Sequence, residues 1–230
     1  MTLLIVGASG FLGGEVLRQA LASPDIARVR ALTRRPLARS HDKLDVQLLP
    51  HFLDYSGVEL GDCEACVWAL GTARGSLTEQ AYVEVTVGYA VAAARALFAR
   101  TPQARFCFVS GRSADPEERA RPLFARIKGR AERELNALDG QVYVFRPGYI
   151  QPTARSGSRK DAAQFFEPLG AVLAWLAPNL AVGCDQLAGC LLDVALHGAP
   201  DRLLLNRTIR AWSLPEHPRS GEVSSEVAGG

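Results

Sequence analysis

The stretch IVGASGFLGGEVL, Ile5 to Leu17, joins a short apolar run to an amphipathic pattern through three spaced glycines. TLLIV (2–6) reads as a buried strand by its length and branching. From Gly10 to about Leu21, Leu12, Val16 and Ala20 recur at helical spacing. Between the two, Gly7, Gly10 and Gly13 form G-x-x-G-x-x-G. In a strand–turn–helix unit each glycine has its own task. Gly7 permits the tight turn, Gly10 lets a pyrophosphate approach the backbone, and Gly13 lets the helix pack close. The helix start adds N–H groups and the positive end of its dipole, and Ser9 adds a hydroxyl. The same glycines would suit a packing turn without a ligand. Their place directly after a buried strand favours a dinucleotide site.

Outward from this turn, apolar runs alternate with helical patterns. Strands are expected at 28–33, 45–50, 65–71, 105–110 and 141–147, and helices at 78–100, 122–137 and 186–197. Thr78 and Asp185 are the expected caps of their helices, and Pro122 the first residue of its own. The link between the second and third strands is too short for a crossover helix. The pattern predicts an α/β fold: one Rossmann-type, doubly wound parallel sheet with helices on both faces. The domain is expected to span 1–213, with about 150–213 forming a substrate groove. Residues 214–230 lack periodicity and read as a disordered tail.

Composition narrows the function. The chain has 230 residues, 48% hydrophobic and 22% charged, with a net charge of +2, too small to argue for nucleic acid or an acidic membrane. The apolar region 165–184 is broken by Glu167, Pro168 and Pro178, so no membrane span is expected; 165–180 would cover a substrate, form a homodimer face or pack as core. Five cysteines with no secretion signal point to reduced thiols and the cytoplasm. Cys63 and Cys66 lack the second pair a zinc site needs, and are expected as one loop and one buried cysteine. The only lysines are Lys43, Lys128 and Lys160. At the end of the second strand stand Thr33, Arg34 and Arg35 rather than an acid. Two guanidinium groups there suit a 2′-phosphate, which favours NADP(H) over NAD(H).

VGASGFLGG, TRR, ALGT and FRPG, in that order, resemble the short-chain dehydrogenase/reductase superfamily. Within it they are most similar to the atypical group of Tat-interacting protein-like oxidoreductases and NmrA-like NADP-binding proteins. The resemblance implies NADP(H) in an extended groove. Gly7, Ser9, Gly10, Phe11, Leu12 and Gly13 would hold the pyrophosphate, and Asp54 would lie near the adenine. Leu70, Gly71 and Thr72 would pass the ribose, and Pro147, Tyr149 and Ile150 would flank the nicotinamide.

The same resemblance implies a Tyr-x-x-x-Lys pair on one helix, lysine on the ribose and tyrosine exchanging a proton with the substrate. LFARIKGRAE (123–132) supplies Lys128, with Glu132 four residues later, but has Phe124 where the tyrosine would stand. Ser110 or Ser113 would bind the substrate oxygen, and Tyr149 is a candidate substitute acid with packing as its other role. Arg74 and Arg112 are candidate anion contacts.

The expected function is oxidation or reduction of a small carbonyl or conjugated molecule with NADP(H). The alternatives are non-redox chemistry on the same scaffold (isomerisation, dehydration, rearrangement or cyclisation) and a non-catalytic NADP(H)-sensing or interaction protein.

Overall fold

The computed structural model describes residues 1–72, 77–152 and 180–212. β1 (Thr2–Val6) is buried along Leu3–Val6, as a central parallel strand must be. Its residues alternate between two cores. Leu3 and Ile5 join one, Leu4 and Val6 the other.

The strands in chain order are β1, β2 (Arg28–Thr33), β3 (Leu44–Leu48), β4 (Cys63–Trp68), β5 (Arg105–Val109), β6 (Gln141–Arg146), β7 (Tyr149–Gln151), β8 (Ala181–Gly183) and β9 (Leu203–Leu205). Seven form one sheet in the order β3-β2-β1-β4-β5-β6-β9, every pair parallel. β7 and β8 form a separate parallel pair. The chain leaves β1 toward β2 and β3, then returns to β4 on the other side of β1. That reversal opens a crevice at the carboxyl ends of β1 and β4.

Helices α1 (Phe11–Ala22) and α5 (Cys184–His197) cover one core. α2 (Glu79–Val83), a π-helical turn (Glu84–Gly88), α3 (Tyr89–Arg100) and α4 (Leu123–Asn136) cover the other. α6 (Asn206–Arg210) closes the described chain, with Ile209 in the first core. α2 to α3 run as one helix, Glu79–Arg100, long and apolar enough by composition to cross a membrane; half of that window is buried, as suits a core helix. In α4, Ile127, Ala131 and Leu135 repeat every turn and are buried, while Arg130 pairs with Glu134 outside.

The main strands and helices follow the sequence expectation, including the helix-free link from β2 to β3. Thr78 caps as expected, its Oγ1 accepting from Ala81 N at 3.2 Å. Four details differ. Pro122 is extended and precedes α4 instead of opening it. Gly183 caps α5, and Asp185 sits inside the first turn, where the helix dipole favours an acid. Cys63 starts β4 and is buried, so neither cysteine of that pair is a loop residue. β7, β8, β9 and α6 were not expected; three-residue strands are too short to show a period. Arg74, the 165–180 stretch and the 214–230 tail lie outside the described residues.

Candidate functional site

All seven sheet strands point the same way, so the residues after β1, β2, β4, β5 and β6 gather at one edge. Gly7 follows β1 with φ +94°, a conformation few side chains adopt. A Cβ there would stand 2.6 Å from Leu70 N, so the end of β4 lies directly against the turn. At Gly13 a Cβ would stand 2.0 Å from Gly7 O, because α1 rises hard against the turn. Gly10 caps α1; its N–H donates to Gly7 O at 2.9 Å. No side chain caps this helix and no acid stands in its first turn. The start of α1 thus keeps its positive end for an anion. Phe11 and Leu12 turn their side chains into the core, which leaves only their backbone for a phosphate. Ser9 is exposed.

After β2, buried Thr33 spends its hydroxyl on Arg35 O at 2.7 Å. That bond shapes the turn carrying Arg34 and Arg35, both exposed and without an ion pair among the described residues. After β3, Asp54 is exposed, and the Ser56 N–H holds its carboxyl below the usual range. Leu70, Gly71 and Thr72 follow β4, partly exposed.

The ends of β5 and β6 meet α4 around a cavity of about 360 Å³. Ser110, Ser113, Phe124, Pro147, Tyr149 and Ile150 are among its walls. Ser110 N donates to Phe145 O at 2.8 Å, and Arg112 N to Pro147 O at 3.1 Å, tying the two strand ends together. Ser110 is buried, Arg112 and Ser113 are exposed, and Phe124 is 47% exposed. Burial pushes the Tyr149 phenol up, so it stays protonated at neutral pH.

Lys128 lies one turn below Phe124. Its Nζ donates to Val109 O at 3.0 Å and sits 5.0 Å from the Phe108 ring centroid. Burial pushes this ammonium down to about 8, and Glu132 pulls partly the other way. One turn further, buried Glu132 accepts a short hydrogen bond from Ser110 Oγ and pairs with Arg146, whose Nε lies 3.0 and 3.1 Å from its two oxygens. The structure therefore brings together Ser110, Ser113, Tyr149 and the Phe124–Lys128 face. Asp54, Arg34 and Arg35 lie toward the other end of the edge, after β3 and β2. Glu132 as the partner of Ser110, and Arg146 as the partner of Glu132, are not among the sequence expectations. Glu132 has the helical spacing to share a face with Lys128, but the sequence gives no sign of a bond across 22 residues.

No family model matches the chain. Protein FMP52, mitochondrial, of Eremothecium gossypii is 27% identical over 176 residues, covering 74% of this chain and 76% of that protein. Among solved structures, the PhqB reductase domain of Penicillium fellutanum superposes with TM-score 0.67 at 15% identity, over 89% of this chain and 66% of that one. This chain therefore spans about two thirds of that domain. WbmF of Bordetella bronchiseptica, in complex with NAD+, gives 0.66 at 10%, over 88% and 71%. Human epimerase family protein SDR39U1, with NADPH, gives 0.58 at 16%, over 89% and 73%.

The fold is a Rossmann-type α/β sheet. The PhqB reductase domain, WbmF and SDR39U1 share that arrangement of strands and helices with this chain. At these identities the likeness speaks for fold, and the reaction has to be argued from the site.

Proposed function

We propose that this chain binds NADP(H) and is a short-chain dehydrogenase/reductase-type oxidoreductase acting on a small carbonyl or conjugated molecule. One observation carries this reading. The glycine turn, the Arg34–Arg35 pair and the cavity of Ser110 and Tyr149 share one edge of the sheet. A nicotinamide dinucleotide fits that donor set. The backbone from Gly7 to Gly13 would hold the pyrophosphate, Arg34 and Arg35 the 2′-phosphate, and Lys128 the ribose hydroxyls. NADPH and NAD+ in the SDR39U1 and WbmF structures support the cofactor class.

Bound there, the cofactor supplies hydride chemistry. The chain's own part is to hold the substrate oxygen and move its proton. Ser110 offers the buried hydroxyl oxygen, its proton held by Glu132, and Phe124 offers shape without a proton. Incubation with NADPH and a panel of aldehydes, ketones and enones tests the reading. Consumption of NADPH above background supports it, and none across the panel counts against it.

Phe124 also favours a second reading, non-redox chemistry on the same scaffold, because a ring without a hydroxyl stands in the cavity wall. Product formed without net nicotinamide consumption would select it.

A further inference from the structure

We infer that the cavity beside Ser110 takes a ligand hydroxyl, an alcohol donating to Ser110, in preference to a carbonyl accepting from it. This narrows the oxidoreductase reading to the direction in which an alcohol is the bound partner and a carbonyl the product, and rests on that reading for the identity of the reacting group.

Ser110 is the buried polar side chain of the cavity wall. Its single hydroxyl proton has one partner in the structure, Glu132 Oε1. The direction of that bond follows from Glu132. A carboxylate in an ion pair with Arg146, with both oxygens facing the guanidinium, has no proton to give and can only accept. Ser110 must therefore be the donor. Its backbone N–H is already spent on Phe145 O. What remains for the cavity is the lone pairs of Oγ, an acceptor. At Oγ a ketone oxygen, also an acceptor, meets no donor; a donor for it has to come from Arg112, Ser113 or Tyr149 elsewhere on the wall. A hydroxyl meets its partner at Oγ itself.

Glu132 and Arg146 line a second cavity of about 430 Å³, beside Arg133, Arg202 and Leu203. Ser110 and Glu132 thus form a two-residue hydrogen-bonded bridge between the two cavities. An alcohol bound to Ser110 can pass its hydroxyl proton to Oγ as Ser110 passes its own to Glu132. Were the hydride to leave to a bound NADP+ in the same event, the ligand would become a carbonyl and Glu132 neutral, so charge, protons and electrons would balance. Glu132 is a positioning residue here, acting through Ser110. Phe124, in the place where a phenol would donate, supplies no donor to offset this polarity.

Cyclohexanol and cyclohexanone, matched in shape, are titrated against the full chain by saturation-transfer NMR, without and with NADP+. The wild type is expected to bind the alcohol about three- to ten-fold more tightly, the worth of one hydrogen bond. Ser110→Ala removes the preference. In Glu132→Gln the amide oxygen turns to Arg146 and the amide N–H to Ser110, which frees the serine proton for the cavity, and the preference inverts toward the ketone. Glu132→Asp keeps the alcohol preference. A ketone preference in the wild type, binding of neither ligand, or equal weakening of both ligands in Glu132→Gln overturns the inference. If Glu132→Gln does not fold, by thermal melt, Ser110→Ala decides. A failure of NADP+ to raise the melting temperature would end the cofactor reading, while the preference measured without cofactor would still decide this one.

Discussion

Phe124 and Lys128 stand one turn apart on α4, Phe124 47% exposed in the cavity wall and Lys128 Nζ 3.0 Å from Val109 O. The ring reaches the cavity without a proton to offer. Phe124→Tyr adds a phenol at that point. Because the ring is half outside, the added hydroxyl costs little stability. Positioned acids contribute about a hundred-fold or more, so even an imperfect fit is expected to raise NADPH-dependent reduction at least about ten-fold. Steady-state rates of the two proteins on one ketone check this. An unchanged rate would mean that α4 does not carry the reaction.

Lys128 gives the protein a pH signature. Burial holds its ammonium at about 8, against 10.5 in the unfolded chain. Between those values the unfolded chain binds more protons than the folded one, so this group makes stability rise with pH across the window. Lys128→Met lacks the effect. Paired thermal melts from pH 8 to pH 10.5 are expected to shift in favour of the wild type as pH rises. A constant gap between the two proteins would contradict the buried ammonium.

Much of this was readable in advance. The glycine turn, six strands and the main helices show because period two and period 3.6 are local properties of the chain. Helical spacing puts Lys128 and Phe124 on one face, and the family resemblance marks that face as the one to examine. The bond from Ser110 to Glu132 was not readable, because it depends on how β5, β6 and α4 converge. Arg30 was likewise hidden: RVRALT reads as a strand, and nothing local shows that Arg30 is 2% exposed while Arg28 is outside.

Arg30 is held by Asp45 at 3.0 Å and Asp62 at 2.9 Å, with Glu59 at 3.6 Å. Its partners are 46 to 87% exposed and can return to water when it is removed. The usual penalty for a stranded buried charge therefore does not apply in full. Arg30→Met is expected to cost about 1–2 kcal/mol, mostly packing and hydrogen bonds. Urea unfolding reads it directly. A loss above about 4 kcal/mol would show that the acids stay desolvated.

All five cysteines are free and buried. Burial raises the thiols, Cys63 to about 11 and Cys184 and Cys190 to about 12, so little thiolate exists at neutral pH. A thiol reagent is expected to label none of them in the native protein within minutes and all five in denaturant. Rapid native labelling at Cys63 or Cys66 would show that the sheet opens at β4.

The most direct measurement is the melting temperature with NADP+ and with NAD+, for the wild type, Gly10→Ala and Arg34→Ala/Arg35→Ala. A Cβ on Gly10 would meet only Gly7 O, at 3.2 Å, so Gly10→Ala should fold while crowding the pyrophosphate. At about a hundred-fold excess over Kd, a ligand stabilises by about 2.7 kcal/mol, about 5–10 °C for a domain of this size. NADP+ is expected to give a shift of that order in the wild type and NAD+ a smaller one. The double arginine variant should lose the difference, and Gly10→Ala should lose both shifts. No shift with either dinucleotide in the wild type would contradict the cofactor site.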